Sequence, residues 1–362
     1  MATDQQESLH KLTRHSATVA MPLENLLSAL RPAAEVMGLP LAQKKDRAEI
    51  ALEDATLTVA AARDTSLVTI AATSDARLAT LRETVNFYFE QLKLPVSLQW
   101  AADRTGGRPA NLMIGTIIAN DRLSPSFQRL RISGDFSRFA SEGLHFRLIF
   151  GPEGADWPSA DATGATHWPG GIDSWHRPPY TVRAIDPDCG WIDIDVFLHD
   201  GGRVTEWLTR AAIGDIVAIT GPGGKVPGVA GWIGYIGDET ALPVIARMLE
   251  GLPADTTGQA LIFVQDPKDA QDIRHPEGVD LRWMVHGEHG TPLDALNMLN
   301  PPEVDRFVFF AAERAASIAA REYLSRNGFE RGEYHAAAYW TEAWVPPSTQ
   351  VARLQRRTAQ VP

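Results

Sequence analysis

Apolar and polar positions change rhythm twice along the chain, and the changes divide it. In the first stretch helical and alternating patterns are mixed. "LENLLSALRPAAEVMG" sets Leu26, Leu27 and Leu30 on one helical face, and "AEIALEDATLTVAAA" and "TSLVTIAAT" read as strands. "DARLATLRETVNFYFEQLKL" predicts an amphipathic helix opening behind Ser74 and Asp75. The pattern predicts a small α+β domain over residues 1–100. Residues 101–110, rich in Gly, Pro and charge, read as a linker.

From residue 111 to 228 short apolar runs recur with turn signals between them: "NLMIGTIIAN", "FQRLRISGD", "LHFRLIF", "YTVRAID", "GWIDIDVFLH" and "GDIVAITGP". That spacing predicts an antiparallel β-barrel or sandwich, with "VTEWLTRAAIG" its one short helix. Over residues 229–345 strands alternate with helices. "GWIGYIG", "QALIFVQD", "VDLRWMVHG", "DRFVFFAA" and "EYHAAAYW" are the strands; "ETALPVIARMLEGLP", "TPLDALNMLN" and "RAASIAAREYLSRNG" are the helices. This alternation predicts a parallel α/β sheet. Residues 346–362, with three arginines and no acid, read as a mobile tail.

Composition narrows the function classes. A net charge of −11 opposes nucleic-acid binding, whose affinity comes largely from neutralised phosphates. The single cysteine, Cys189, excludes an internal disulfide or a thiolate metal cage built by this chain alone, so redox chemistry would need a bound cofactor. No apolar run approaches the roughly 20 residues of a membrane span, and "MATDQQESLHKLTRHS" lacks the apolar core of a signal peptide. The expected location is the cytoplasm, without membrane insertion. His10 and His15 have no carboxylate or thiol at ligand spacing and read as surface or packing residues.

Three segments carry candidate chemistry. In "RPPYTVR" a strand tyrosine, Tyr180, can cover one face of a flavin ring, Thr181 or a neighbouring amide such as that of Val182 can reach its polar edge, and Arg183 can bind a diphosphate as a fork. Alternation puts Tyr180 and Val182 on one face and Thr181 and Arg183 on the other; an edge strand with a snorkelling arginine explains the residues equally well. In "LHDGGRVTEWL" a glycine turn feeding a helix presents Arg203, Val204 and Thr205 as an anion site, or forms a plain capped turn. In "GWIGYIGDETALPVIARML" a strand ends at Gly237 and Asp238, Glu239 and Thr240 precede a helix, a ligand loop or a structural turn without the G-x-G-x-x-G fingerprint.

In their order and separation these segments, with "GDIVAITGPGG", "FFAAE…AAREYL" and the closing "YW", resemble the siderophore-interacting proteins, FAD-dependent ferric-siderophore reductases of the ferredoxin–NADP reductase-like superfamily. The resemblance covers roughly residues 111–345. It implies a flavin-binding barrel and a nucleotide-binding α/β domain, behind an N-terminal accessory domain. Tyr180 would pack on the isoalloxazine, Thr181 would bond its edge, and Arg183 would serve the phosphates or the pyrimidine side. His199 would lie near the adenine or ribose, Arg203, Val204 and Thr205 at the pyrophosphate. Asp238, Glu239 and Thr240 would face the nicotinamide, with Tyr339 and Trp340 on the flavin's far face. The family's first arginine stands two residues before the tyrosine, where this chain has Pro178; Arg177 stands one residue earlier. Glu313 matches a family Gly-Glu pair whose glycine is Ala312 here.

The implied reaction is reduction of a ferric siderophore, with electrons from NADH, NADPH or a ferredoxin passing through FAD. Arg131, Arg147, Lys225 and Arg321 are candidates for a basic lip that receives the anionic siderophore. Trp157, Trp168 and Trp175 would stack on a catechol-like ligand or pin their loop. Two rivals remain at this level: a flavin or ferredoxin reductase with another acceptor, and a siderophore-binding protein without catalysis.

Overall fold

A computed structural model describes residues 12–36, 39, 41–52, 55–91, 98–101, 107–141, 143–161, 166–224, 228 and 230–341. His10, the tail 346–362, Lys225 and linker residues 102–106 therefore lie outside the described residues. The chain divides into two compact units, one of residues 1–120, 129–194 and 207–226, the other of residues 121–128, 195–206 and 227–362.

The first unit opens with six strands, β1 Thr13–Val19, β2 Leu41–Lys44, β3 Arg47–Ala51, β4 Ala55–Ala62, β5 Thr65–Ala72 and β6 Gln99–Trp100, in the order β2-β3-β4-β5-β1-β6. Two helices accompany them, α1 Leu23–Val36 and α2 Asp75–Gln91. Leu26 and Leu27 of α1 and Leu78, Val85 and Phe89 of α2 bury their apolar faces with Val59, Val68 and Ile70 of the sheet. Ser74 caps α2, its hydroxyl accepting from the Arg77 amide at 3.2 Å. Strand β1 escapes the pattern because in "TRHSATV" only Ala17 and Val19 are fully buried.

Next come β7 Leu112–Arg122, β8 Phe127–Ser133, β9 His145–Ile149, a separate short pair β10 Ser159–Ala160 and β11 Thr166–His167, then β12 Pro179–Thr181, β13 Ala184–Asp186, β14 Trp191–Phe197, helix α3 Arg203–Leu208 and β15 Ile216–Gly223. Seven of these strands form one sheet, β12-β9-β15-β7-β8-β14-β13, antiparallel in its β12–β9, β9–β15, β15–β7 and β13–β14 pairs. The two edge strands, β12 and β13, are consecutive in the chain. Only Val182 and Arg183 separate them: the Val182 amide donates to Leu144 O at 2.8 Å and the Arg183 amide to Asp193 O at 2.8 Å. The sheet's two edges are thus brought together by one short stretch of backbone, the way a barrel closes.

In the second unit β16 Trp232–Gly237, β17 Thr257–Val264, β18 Val279–Val285, β19 Arg306–Glu313 and β20 Tyr334–Trp340 form a fully parallel sheet ordered β18-β17-β16-β19-β20, with helices α4 Leu242–Glu250 and α5 Arg314–Arg326. Every residue of the central β16 is buried, which is why it reads as a continuous apolar run. Gly258 at the start of β17 has φ +143°, and a Cβ there would lie 1.9 Å from Ile233 O, so only glycine lets β17 reach β16. The helix expected over "TPLDALNMLN" is instead a short 3₁₀ turn, Asp294–Met298. Thr291 binds the Asp294 carboxylate through its amide (3.0 Å) and hydroxyl (2.7 Å), a local bonding that competes with helix, and Pro301 follows closely.

Candidate functional site

In the first unit, the seam between β12 and β13 holds the "RPPYTVR" residues. Register places Pro179 opposite Arg147, Tyr180 opposite Phe146 and Thr181 opposite His145. The Tyr180 ring lies tilted against Phe146 at 6.3 Å, and burial pushes its phenol above the ordinary range. Thr181 Oγ1 is 3.2 Å from His145 Nδ1. Simple alternation fails at the switch from β9 to β14: Thr181, Val182 and Arg183 are all buried, and Tyr180 is half-buried. Val182 fills the interior and its amide is engaged by Leu144. Arg183 is only 7% exposed, which removes the snorkelling-arginine alternative. Arg177 behaves differently. Its guanidinium lies over the Trp168 ring at 4.9 Å, and its carbonyl accepts from Arg147 Nη1 at 2.8 Å.

The second unit carries the glycine turn. His199 stacks on Phe197 at 6.1 Å, its amide donates to Thr205 Oγ1 at 3.2 Å, and Nδ1 donates to Asp200 O at 3.2 Å. A Cβ at Gly202 would lie 2.8 Å from Thr205 Oγ1 and 2.9 Å from the His199 ring, so glycine keeps this turn tight around both. Arg203 stands exposed at the start of α3, whereas the Val204 side chain is buried.

At the carboxyl end of β16 the same unit builds a second polar cluster. Asp238 is buried and accepts three hydrogen bonds: from the Thr240 amide (3.0 Å), the Thr240 hydroxyl (2.5 Å) and the indole Nε1 of Trp340 (2.7 Å). Burial nevertheless holds its carboxyl above the usual range, the three donors only partly offsetting it. Tyr339 meets Phe309 edge-on at 6.5 Å, its phenol raised by burial and then by the Asp238 charge. Beside this, buried Glu239 pairs through Oε2 with His286 Nε2 at 3.1 Å. His286 just follows β18 in the chain, and its link to Glu239 had no signal in the sequence. Glu313 caps α5, its carboxylate accepting from the amides of Ala315 and Ala316.

The Glu239 hydrogen bond raises the His286 pKa above its ordinary 6.5. A raised folded value means that the pair's stabilisation is full below the ordinary value and lost as pH climbs through the raised one. An NMR titration of the His286 ring is expected to show the raised value in the wild type and its return toward or below 6.5 in Glu239→Gln. An unchanged midpoint would refute the coupling.

The stretches that carry these clusters match known protein families. Residues 116–226 match the siderophore-interacting FAD-binding domain, and residues 230–343 match the siderophore-interacting protein domain. The chain belongs to the siderophore-interacting protein family. Among similar proteins is the NADPH-dependent ferric-chelate reductase of Escherichia coli, 29% identical over 238 residues that cover 62% of this chain and 91% of that protein. The ferric vibriobactin reductase ViuB of Vibrio cholerae is 32% identical over 178 residues, covering 46% of this chain and 65% of ViuB. The crystal structure of the siderophore-interacting protein SipS from Aeromonas hydrophila aligns with a TM-score of 0.56 at 26% identity, over 68% of this chain and 98% of SipS.

A member of this family holds FAD in the matched domain, and the seam residues fit that group: an aromatic ring on an edge strand, a hydroxyl beside it and a buried guanidinium three residues on. The arginines considered for a substrate lip also make contacts within the protein. Arg131 forms a two-point ion pair with Asp193 (2.7 and 2.8 Å) and stacks on Trp191 at 3.6 Å. Arg321 Nε donates to Ala336 O at 2.9 Å. Arg131 on β8 and Arg147 on β9 stand on non-adjacent strands. Of the loop tryptophans, Trp168 and Trp175 are buried edge-to-face at 5.4 Å, with Trp175 Nε1 donating to Pro169 O at 2.9 Å; Trp157 is 38% exposed. Two of the three therefore pin the loop.

Proposed function

We propose that the chain is a flavin-dependent oxidoreductase that reduces a ferric siderophore with electrons from NADPH or NADH, in the cytoplasm. The observation that carries the reading is the buried Arg183 beside Tyr180 and Thr181, within the stretch matched as an FAD-binding domain. Bound FAD supplies the step between a two-electron hydride donor and the one-electron ferric acceptor. The protein's own residues bind and orient. Tyr180 offers a ring to cover one face of the flavin, Thr181 a hydroxyl toward its edge, and Arg183 a fixed positive charge in a low-dielectric setting, where charge acts most strongly. His199 and the 202–205 turn are assigned to the adenosine and diphosphate end. Asp238 and Thr240 set the loop that receives the nicotinamide, and Asp238 fixes the Trp340 indole by a direct hydrogen bond. In this reading residues 111–228 are the FAD-binding domain, residues 229–345 the nucleotide-binding domain, and residues 1–100 an accessory domain joined through 101–110. A ferredoxin is the alternative donor.

The test is an anaerobic titration of the FAD-loaded protein with NADPH and NADH, followed by a ferric siderophore. The expected result is bleaching by at least one nucleotide, then return of the oxidised flavin spectrum as a ferrous chelator traps iron. Equal rates with free flavin or quinone as acceptors would favour a general reductase. Absence of FAD uptake would favour a binding protein without catalysis.

A further inference from the structure

The stretch ahead of both family matches, residues 1–115, is not a passive attachment, because one of its carboxylates is carried onto the loop that leads into the flavin-clamp segment. Helix α2 lies along β15, so the side chain of Glu83 reaches the loop that precedes β12. There Glu83 Oε1 accepts from the Thr166 hydroxyl at 2.8 Å, in the β11 strand of that loop. Burial raises the Glu83 pKa, with the Thr166 hydrogen bond and then the charges of Arg177 and Arg147 acting against it; burial likewise lowers that of Arg177, and Glu83 is the foremost charge opposing that shift. Arg177 is in turn the root of the clamp. Its guanidinium rests on Trp168, its carbonyl is held by Arg147, and only Pro178 and Pro179, whose φ angles are fixed by their rings, separate it from Tyr180. Strand β12 is three residues long and pairs on one side only, with β9, so its position depends on that root.

We infer that Glu83 of the N-terminal region is a positioning residue: through its hydrogen bond to Thr166 it fixes the stretch that carries Trp168, the ring on which Arg177 rests, it sets an opposing charge in the field of Arg177, and through the rigid Pro178-Pro179 step it bears on where Tyr180 stands. This assigns the displaced Arg177 a role away from the FAD phosphates, which are left to Arg183 and the 202–205 turn. The inference rests on the flavin-binding reading above.

The experiment measures FAD binding to the full-length apoprotein by flavin fluorescence quenching, with melting temperature followed in parallel. Glu83→Gln is expected to raise the FAD Kd by about fivefold, the scale of a through-space charge interaction at a partly buried site. Arg177→Met is expected to raise it similarly, and the double variant no further than either alone. Thr166→Val, which keeps both charges, is the milder variant and should give a smaller rise in the same direction. A wild type that binds FAD together with variants that bind it equally well, or with strictly additive losses, overturns the inference and leaves the flavin reading standing. A wild type that takes up no FAD overturns both.

Discussion

Arg183→Ala is expected to purify without flavin, and its apoprotein to bind added FAD at least about a hundredfold more weakly than the wild type. The side chain, not the backbone, is at stake. The Arg183 amide that closes the seam onto Asp193 O is present whatever the side chain, so strand switching survives the substitution. What is lost is the guanidinium of a residue that is only 7% exposed. Charge-assisted hydrogen bonds to a buried cation are worth about 1.5–3 kcal/mol, and two of them to a diphosphate or to the flavin's pyrimidine side account for a hundredfold. Arg183→Lys should recover only part of the affinity, since an ammonium supplies charge but not the planar fork. The measurements are flavin absorbance per polypeptide and a fluorescence titration. An alanine variant that holds FAD as tightly as the wild type would remove Arg183 from the site.

The second large effect lies at Asp238. Asp238→Ala strips the acceptor from three donors at once: the Thr240 amide, the Thr240 hydroxyl and the Trp340 indole. At about 1 kcal/mol net for each bond, the second unit should lose about 3 kcal/mol, and its melting temperature should fall by about 6–12 °C. Freed from Asp238, Trp340 should also change its fluorescence, and flavin reduction by NADPH should slow by about tenfold through misplacement of the nucleotide loop. Asp238→Asn separates charge from geometry. Because burial raises the Asp238 pKa above its ordinary 3.8, the folded wild type holds its proton more tightly than the unfolded chain does, and stability falls as pH rises from that value through the raised one. The asparagine variant should lack this decline while keeping one acceptor. A pH-independent difference between the two proteins would show that the carboxylate's burial has no energetic consequence.

Legibility followed burial. The parallel sheet could be read almost strand by strand because β16 is apolar throughout and its neighbours β17 and β19 carry long buried apolar runs, whereas β1 and β2 were missed because few of their side chains are fully buried, and β6 because it is only two residues long. The chemistry of "RPPYTVR" was legible as residue types, but its geometry was not. Period-two alternation separates Thr181 and Arg183 from Val182, yet all three are buried, since the backbone changes partner from β9 to β14 between them. Likewise, the motif match could show that Arg177 is displaced. It could not show the guanidinium resting on Trp168 within the field of Glu83.

The sequence alone determined most of the succession of elements, the candidate flavin clamp and the family resemblance, because periodicity, turn residues and ordered motifs are local properties of a chain. Only the tertiary structure decided which of those residues share a site. Asp238 meets Trp340, Glu239 meets His286 and Glu83 meets Thr166, and each pair is joined by strand order and helix docking rather than by spacing. A hydrogen bond is made over about 3 Å of space whatever the length of chain between its partners, and that separation is set by the packing of apolar faces elsewhere in the molecule.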